Sequence, residues 1–293
     1  MKNPSTISTD LAKISGTTKV YGVIGDPITH SISPAMHNAA FESLDMDALY
    51  VAFRVPRGEA SAAVRGIRSL GISGVNVTMP HKMSIIRYLD RIDGDARKIG
   101  AVNTIVRSGA RLLGYNTDGK AALETLSQLG TLNGRKAVIL GAGGAARAIA
   151  YCLSKGVDEL TVLNRTRSRG SALAAAVGKW SRSTCQSRDL SLGNLRRQMN
   201  GARLLINTLP ADVFPHFGET IIREQLIGKD VLVLDANYKP ESDFIAKAEM
   251  AGAKASDGLE MLVRQAAYSF KLWTGQDPPI KVMRDAAAKA RAK

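Results

Sequence analysis

An α/β architecture in two parts, each a sheet covered by helices on both faces, is what this sequence predicts, and three observations carry it. Short apolar runs alternate with helix-length segments from about Lys19 to the end of the chain. That order favours parallel strands joined by crossover helices lying on both faces of a sheet. A glycine-rich turn directly follows the apolar run Lys136–Leu140. The pattern also changes regime near Asp118, which divides the 293 residues into two units large enough to bury a core.

In the first unit, Val20–Ile24 is a short apolar strand ending at Gly25-Asp26-Pro27. Ser33-Pro34 reads as an N-cap followed by proline at the first helical position, opening a helix over Ala35–Leu44. Ala48–Val55 returns as a strand, and Glu59–Leu70 is a helix stopped by Gly71. Gly74–Thr78 is a strand, and Pro80 opens a helix running through Leu89. Ala101–Val106 and Leu112–Tyr115 form a hairpin across Ser108-Gly109.

In the second unit, Ala121–Leu129 is helical and Asn133-Gly134 turns the chain. Lys136–Leu140 is a buried strand, with a helix from about Ala145. Glu159–Leu163, Arg203–Asn207 and Val231–Asp235 supply further strands, with helices between them. Gly258–Lys293 is helical with a break at Asp277-Pro278-Pro279.

Gly141-Ala142-Gly143-Gly144-Ala145-Ala146 carries the clearest chemistry, with Gly141, Gly143 and Ala146 matching G-x-G-x-x-[GA]. The first glycine permits a tight turn, the second lets backbone amides approach a pyrophosphate, and Ala146 permits close helix–strand packing. The spacing alone also suits a βα turn with no ligand. The strand before it and the helix after it favour a Rossmann-type dinucleotide-binding domain.

Roughly twenty residues on, an NAD site places a carboxylate against the ribose hydroxyls. Here that strand ends in Asn164-Arg165-Thr166-Arg167-Ser168-Arg169, which has no carboxylate and three arginines. Guanidinium groups bind a 2′-phosphate through charge-assisted bonds, so the cofactor is read as NADP. A solvated basic turn is the competing reading, and its place at the end of this strand tells against it.

Several polar residues of the first unit sit where strands meet loops: Ser31, Ser33, Asn76, Thr78, Lys82, Asn103, Thr104 and Asn116-Thr117-Asp118. Ligands bind at the carboxyl ends of parallel strands, and hydroxyls, amides and a carboxylate suit a polyhydroxylated ligand. Taken singly, Ser33 is also read as a cap, Thr78 as a strand residue and Lys82 as a solvated helix residue. The residues alone leave the cluster's role open.

Composition excludes other classes. No apolar run approaches a bilayer span. The first nineteen residues lack the apolar core of a signal peptide, and they carry Asp10 and no arginine, which disfavours a transit peptide. Cys152 and Cys185 form no CxxC pair and are read as small buried filler in a reducing, cytoplasmic setting. His30, His37, His81 and His216 have no metal-ligand spacing, so no metal is expected. The net charge of +14 is dispersed and aromatics are only 5%, so stacking platforms for nucleic acid are scarce. The charge is read as a surface bias that favours anionic ligands.

The chain resembles the shikimate dehydrogenase family from about Tyr21 to Gly275. The resemblance rests on Tyr21-Gly-Val-Ile-Gly-Asp-Pro-Ile-Thr-His-Ser31-Ile-Ser33-Pro34, Asn76-Val-Thr78-Met-Pro-His-Lys82, Gly100-Ala-Val-Asn103-Thr and Asn116-Thr-Asp118-Gly. It continues through Gly141-Ala-Gly-Gly-Ala, Asn164-Arg-Thr and Asp257-Gly258-Leu-Glu-Met-Leu-Val-Arg-Gln265. The segments Ile206–Pro210 and Asp235–Pro240 differ from the family's commoner pattern near the expected nicotinamide end.

The resemblance implies two three-layer α/β domains with a cleft between them. Residues 19–118 would bind substrate, completed by the C-terminal helices of 258–293. Residues 119–257 would be the NADP-binding domain, and residues 1–18 are expected to be disordered. It implies Lys82 and Asp118 as a catalytic dyad, Ser31 and Ser33 as carboxylate ligands, and Thr78, Asn103 and Gln265 as hydroxyl ligands, with Tyr238 near the substrate. Gly141, Ala142, Gly143, Gly144 and Ala145, then Asn164, Arg165, Thr166 and Arg169, and finally Gly258 would hold NADP.

The implied reaction is the reversible reduction of 3-dehydroshikimate to shikimate with NADPH, in a cytoplasmic monomer or homodimer of the chorismate pathway. A lysine amine is a base only when neutral, so Asp118 is assigned chiefly to orienting Lys82 and the hydroxyl. Competing expectations are a quinate or aminoshikimate dehydrogenase of the same fold, a catalytically silent NADP-binding regulator, and a nucleic-acid-binding module. The last would bind with strong salt dependence, and no motif supports it. Neither specific nucleic acid nor membrane is expected as a partner.

Overall fold

The computed structural model describes residues 14–238 and 243–292, in two six-stranded sheets. The first half runs β1 (Lys19–Gly25), α1 (Ser33–Ser43), β2 (Ala48–Arg54), α2 (Ala60–Ser69), β3 (Gly74–Val77), β4 (Arg91–Ile92), α3 (Gly94–Ile99), β5 (Thr104–Ser108) and β6 (Arg111–Tyr115). Its sheet has the order β2-β1-β3-β5-β6-β4. β1 pairs parallel with β2 and β3, whereas β5 runs antiparallel to both β3 and β6. The expected parallel sheet is therefore mixed here, because the β5–β6 hairpin returns the chain without a crossover.

Both faces of this sheet are covered. Tyr21 and Val23 pack against Met36, Ala40 and Phe41 of α1 and against the C-terminal helices. Ile24, Val75, Val77 and Ile105 pack on the other side against Ala60, Val64 and Ile67 of α2. Alternation of side chains along each strand supplies both sets.

The second half opens with α4 (Asp118–Leu129), β7 (Lys136–Leu140), α5 (Gly144–Leu153), β8 (Glu159–Asn164), α6 (Arg167–Gly178) and β9 (Thr184–Asp189). It continues with α7 (Leu192–Met199), β10 (Leu204–Asn207), α8 (Phe214–Arg223), β11 (Leu232–Asp235), α9 (Phe244–Met250) and β12 (Lys254–Ser256). The sheet order β12-β11-β10-β7-β8-β9 is parallel throughout. It is the doubly wound arrangement whose order reverses between the first and fourth strands, here β7 and β10. Ile139, Val162 and Ile206 feed one face and Val138, Leu163 and Leu205 the other, so these strands read as continuous apolar runs.

α10 (Gly258–Thr274) and α11 (Ile280–Arg291) return to the first sheet, where Val263, Phe270 and Met283 join the core with Tyr21 and Phe41. Arg264 on α10 also bonds Glu124 on α4 at 3.1 Å, linking the two halves.

Four expectations are corrected. Pro80 opens no α-helix: residues 79–84 form successive turns, followed by a short 3-10 segment at Ile85–Tyr88. Ser33 is the first helical residue of α1, with Ile32 at the cap and no side-chain cap bond. The short elements β4, α3, β9 and β12 go beyond those the sequence pattern predicts; β9 (TCQSRD) is too polar to show a strand pattern. Residues 15–18, expected to be disordered, form a turn in which the Thr17 and Thr18 hydroxyls donate to Asp47 at 2.9 and 2.6 Å. Residues 1–13, 239–242 and 293, among them Lys239 and Pro240 of the variant segment, lie outside the described residues.

Candidate active site

The turn that carries Lys82 leaves the carboxyl end of β3 and is pinned on several sides. Thr78 N donates to Ile24 O, the buried His81 ring bonds Val55 O at 2.7 Å, and Val102 N donates to Lys82 O at 2.8 Å. With the backbone held, the long lysine stem has a defined direction. Its Nζ donates to Asp118 Oδ2 at 2.6 Å, with the lysine side chain 18% exposed and the carboxylate 5%.

Asp118 opens α4, where unsatisfied amides and the helix dipole favour a negative charge. Its second oxygen accepts from Asn103 Nδ2 at 2.9 Å. Asn103 is held in turn: its Oδ1 accepts from Thr117 N at 2.8 Å and from the Thr104 hydroxyl at 2.9 Å. The same amide nitrogen lies 3.2 Å from Gln265 Oε1 on α10. Lys82, Asp118, Asn103 and Gln265 thus form one connected polar cluster. Lys82 uses one of its three donors on Asp118, and the Thr78 hydroxyl makes no hydrogen bond within the described residues.

Ser31 sits on the loop after β1 and Ser33 opens α1. Ser31 Oγ accepts from Ser33 N at 3.3 Å. The hydroxyl of the buried Tyr50 donates to Asn76 Oδ1 at 2.7 Å. Asn76 Nδ2 continues to Asn103 O at 3.1 Å and Ser269 Oγ at 3.0 Å. A buried chain therefore joins Tyr50 on β2 to the Lys82–Asp118 cluster. His37 stacks on Tyr50 with centroids 4.3 Å apart and an interplanar angle of 12°. Fully buried and, among the described residues, without a partner for either ring nitrogen, His37 is pushed down to about 3 by desolvation. Tyr238, from the second half, donates its hydroxyl to His30 O at 3.3 Å, beside Ser31.

Across from this cluster lies the glycine turn. Gly141 takes φ +107°, and a Cβ there would stand 2.5 Å from Thr208 Oγ1 at the end of β10, so only glycine fits at the reversal point of the sheet. Gly143 is exposed, with nothing within 4 Å of a Cβ built on it, which leaves its outer side open to a ligand. Arg147 N donates to Gly143 O as the first bond of α5, so the amides of Gly144, Ala145 and Ala146 have no helical acceptor. Ala142 is buried in the core beneath the turn. A Cβ on Gly144 would lie 2.9 Å from Lys82 Cβ and 3.0 Å from its Cδ, so the glycine turn and the lysine stem are in contact.

The basic turn after β8 is where the sequence placed it. Asn164 Nδ2 donates to Thr166 O at 2.8 Å and shapes the turn. Arg165, Thr166 and Arg169 are exposed, and neither guanidinium makes a hydrogen bond or ion pair within the described residues. Open space at Gly143, free amides at α5 and unpaired arginines beyond β8 fit a dinucleotide with a 2′-phosphate. These residues do not bond to the Lys82–Asp118 pair; the glycine turn stands between. Gly258 opens α10 so close to β11 that a Cβ would lie 2.4 Å from Ala236 O.

At the ends of β10 and β11, Asp235 Oδ1 accepts from Asn207 Nδ2 at 2.8 Å and Asn237 N at 2.9 Å. Burial pushes this carboxyl above its ordinary range. Sequence reasoning missed this network, and it missed Tyr50 and Ser269. Asn76 inside the buried strand GVNV was the available signal, since a buried amide demands several partners. Tyr50 in ALYVAFR looks like an ordinary strand aromatic.

Comparison with known proteins matches three segments. Residues 23–105 match the shikimate dehydrogenase substrate binding domain, residues 124–204 match shikimate / quinate 5-dehydrogenase, and residues 258–288 match the shikimate 5'-dehydrogenase C-terminal domain. The shikimate dehydrogenase (NADP(+)) of Thermococcus kodakarensis is 44% identical over 271 residues, covering 92% of this chain and 96% of the relative. A solved shikimate dehydrogenase in complex with NADP+ superposes with a TM-score of 0.85 at 38% identity, covering 96% of this chain and 98% of that one. The enzyme of Thermus thermophilus, solved with NADP(H) and shikimate, has a TM-score of 0.76 at 35% identity, covering 93% and 99%.

Proposed function

The chain belongs to the shikimate dehydrogenase family, and on that premise we propose that it interconverts 3-dehydroshikimate and shikimate with NADP as redox partner, in the biosynthesis of chorismate and the aromatic amino acids. The observation that carries this reading is the contact of the Lys82 stem with Gly144 while Lys82 Nζ bonds Asp118 at 2.6 Å. A proton-transfer group and a phosphate-binding turn thereby share one cleft.

When bound, NADP would supply the hydride acceptor for oxidation of the ring carbon, and NADPH the hydride donor for the reverse reduction. The remaining chemistry belongs to the chain. In oxidation the neutral Lys82 amine removes the proton from the hydroxyl on that carbon; in reduction its ammonium returns the proton to the carbonyl oxygen. Asp118, anchored by Asn103, holds the amine in place beside the reacting hydroxyl. Ser31 and Ser33 donate to the carboxylate. Thr78, Asn103 and Gln265 bond the other ring hydroxyls, and Tyr238 closes over the substrate from the second half.

The backbone amides of Gly143, Gly144 and Ala145 hold the pyrophosphate, with Gly141 and Ala142 shaping the turn. Asn164, Arg165, Thr166 and Arg169 hold the adenosine end with its 2′-phosphate, and Gly258 gives the cofactor room at α10. We assign residues 19–118 with 258–293 to the substrate domain and 119–257 to the NADP domain. The protein acts in the cytoplasm as a monomer or homodimer. Among the described residues, no helix is long and apolar enough to cross a membrane.

The family model that matches residues 124–204 covers quinate as well as shikimate. The deciding experiment follows absorbance of the reduced nicotinamide with shikimate and quinate, each with NADP and NAD. Higher kcat/KM for shikimate with NADP is expected. A preference for quinate, or no turnover of either, would overturn the assignment.

A further inference from the structure

We propose that Arg147 is a positioning residue that sets the phosphate turn in register with Lys82, so that a cofactor seated on α5 arrives aligned with the proton-transfer group. The proposal rests on the reading of Lys82 given above and assigns a role to a residue outside both the catalytic pair and the cofactor contacts.

The first turns of α5 touch the segment behind the catalytic lysine at two points. Gly144 meets the Lys82 stem. One turn on, Arg147 Nε donates to Ile99 O at 2.8 Å. Gly100, which ends α3 at φ +71°, packs against the guanidinium: a Cβ there would lie 2.9 Å from Arg147 Nη2. A cation near the amino end of a helix gains nothing from the helix dipole, so Arg147 is poorly placed to stabilise α5 itself. Its bond goes instead to a carbonyl at the carboxyl end of α3, where a cation is favoured.

The segment that Arg147 holds also holds the catalytic machinery. Two residues beyond Ile99, Ala101 O accepts from Asn116 Nδ2 at 3.0 Å, and Asn116 Oδ1 accepts from Asp118 N at 3.1 Å. Next, Val102 N bonds Lys82 O at 2.8 Å, and Asn103 follows with its bond to Asp118. One short stretch, 99–103, is therefore tied in sequence to the phosphate helix, to the Asp118 turn, to the Lys82 backbone and to the Asp118 carboxylate. Loss of the Arg147 tie leaves the apolar contact of Ile99 and Ala101 with Ala148 and Tyr151, and the Tyr151–Asp95 hydrogen bond at 2.7 Å. The two halves stay joined while the register loosens.

The test compares Arg147→Met and Arg147→Lys with the unaltered protein. The readouts are shikimate oxidation with NADP, the primary isotope effect with shikimate deuterated at the reacting carbon, and the thermal midpoint. The expected result for Arg147→Met is a kcat lower by about tenfold, as for a small misplacement of reacting groups. The isotope effect should be larger, KM for NADP within twofold, and Arg147→Lys intermediate. An unchanged kcat overturns the proposal. So does a raised KM for NADP at normal kcat, which makes Arg147 a phosphate ligand. A lowered thermal midpoint with an unchanged isotope effect also overturns it, by reducing Arg147 to a structural role. Should Arg147→Met fold poorly, Arg147→Lys carries the same measurements. Lys82→Ala, assayed beside them, tests the underlying reading separately: near-normal turnover there removes Lys82 from the chemistry and the proposal with it, whatever Arg147 does.

Discussion

Lys82 and Gly144 touch across the cleft: a Cβ built on Gly144 would stand 2.9 Å from Lys82 Cβ. That atom is bonded to the pinned backbone and cannot swing aside as the end of a flexible side chain would. Gly144→Ala is therefore expected to displace the lysine stem and the phosphate turn together. A shift of about 1 Å at reacting groups costs on the order of 100-fold. Steady-state kinetics should show kcat reduced by about that factor; unaltered turnover would mean that the contact has slack.

Lys82→Ala should lower kcat by about 100- to 10,000-fold, the usual worth of a positioned acid–base group. Shikimate affinity should change little, because the serine loop and the Asn103 amide remain. Pre-steady-state turnover and a separate binding measurement distinguish the two. Comparable losses in both would make Lys82 a binding residue.

Arg165→Ala and Arg169→Ala each remove an unpaired guanidinium from the turn after β8. A charge-assisted bond is worth roughly 1.5–3 kcal/mol, so KM for NADP should rise about 10- to 100-fold. KM for NAD, which has no 2′-phosphate, should barely move. Equal losses with both cofactors would contradict the phosphate role.

His37 makes stability depend on pH in a definite direction. Burial holds the folded-state imidazole neutral down to about 3, against 6.5 for the ordinary group. Between those values the unfolded chain binds the proton that the folded one refuses. Its stabilising contribution is thus complete above about pH 6.5 and is lost as the pH falls towards 3. His37→Phe keeps a flat ring against Tyr50 and removes the titration. Denaturant unfolding at pH 7 and pH 4.5 should show a smaller loss for the variant than for the parent protein. Equal losses would remove His37 as a source of acid sensitivity.

Legibility from sequence followed how local each feature is. The strand Lys136–Leu140 and its glycine turn were readable because a buried parallel strand is an apolar run and a turn at φ +107° needs glycine. The arginines after β8 were readable because strand and turn are consecutive in the chain. Among the described residues, the first-half cluster showed only as scattered polar positions at strand ends. Its meaning came from resemblance, because Lys82, Asn103, Asp118 and Gln265 are brought together from the turn after β3, the approach to β5, the start of α4 and the middle of α10. The turn carrying Lys82 was misread as a helix, since Pro80 favours a first helical turn as readily as it favours a tight one.

By itself the sequence determined the alternation of elements, the glycine turn after β7 and the basic character of the turn beyond β8. Hydrophobic period, backbone conformation and charge are written in neighbouring residues. Only the tertiary structure decided that β5 lies antiparallel beside β3, which makes the first sheet mixed, and that Gly144 lies on Lys82. Those are relations between residues far apart in the chain. They are set by which apolar faces bury one another, and the local pattern does not encode that choice of partner.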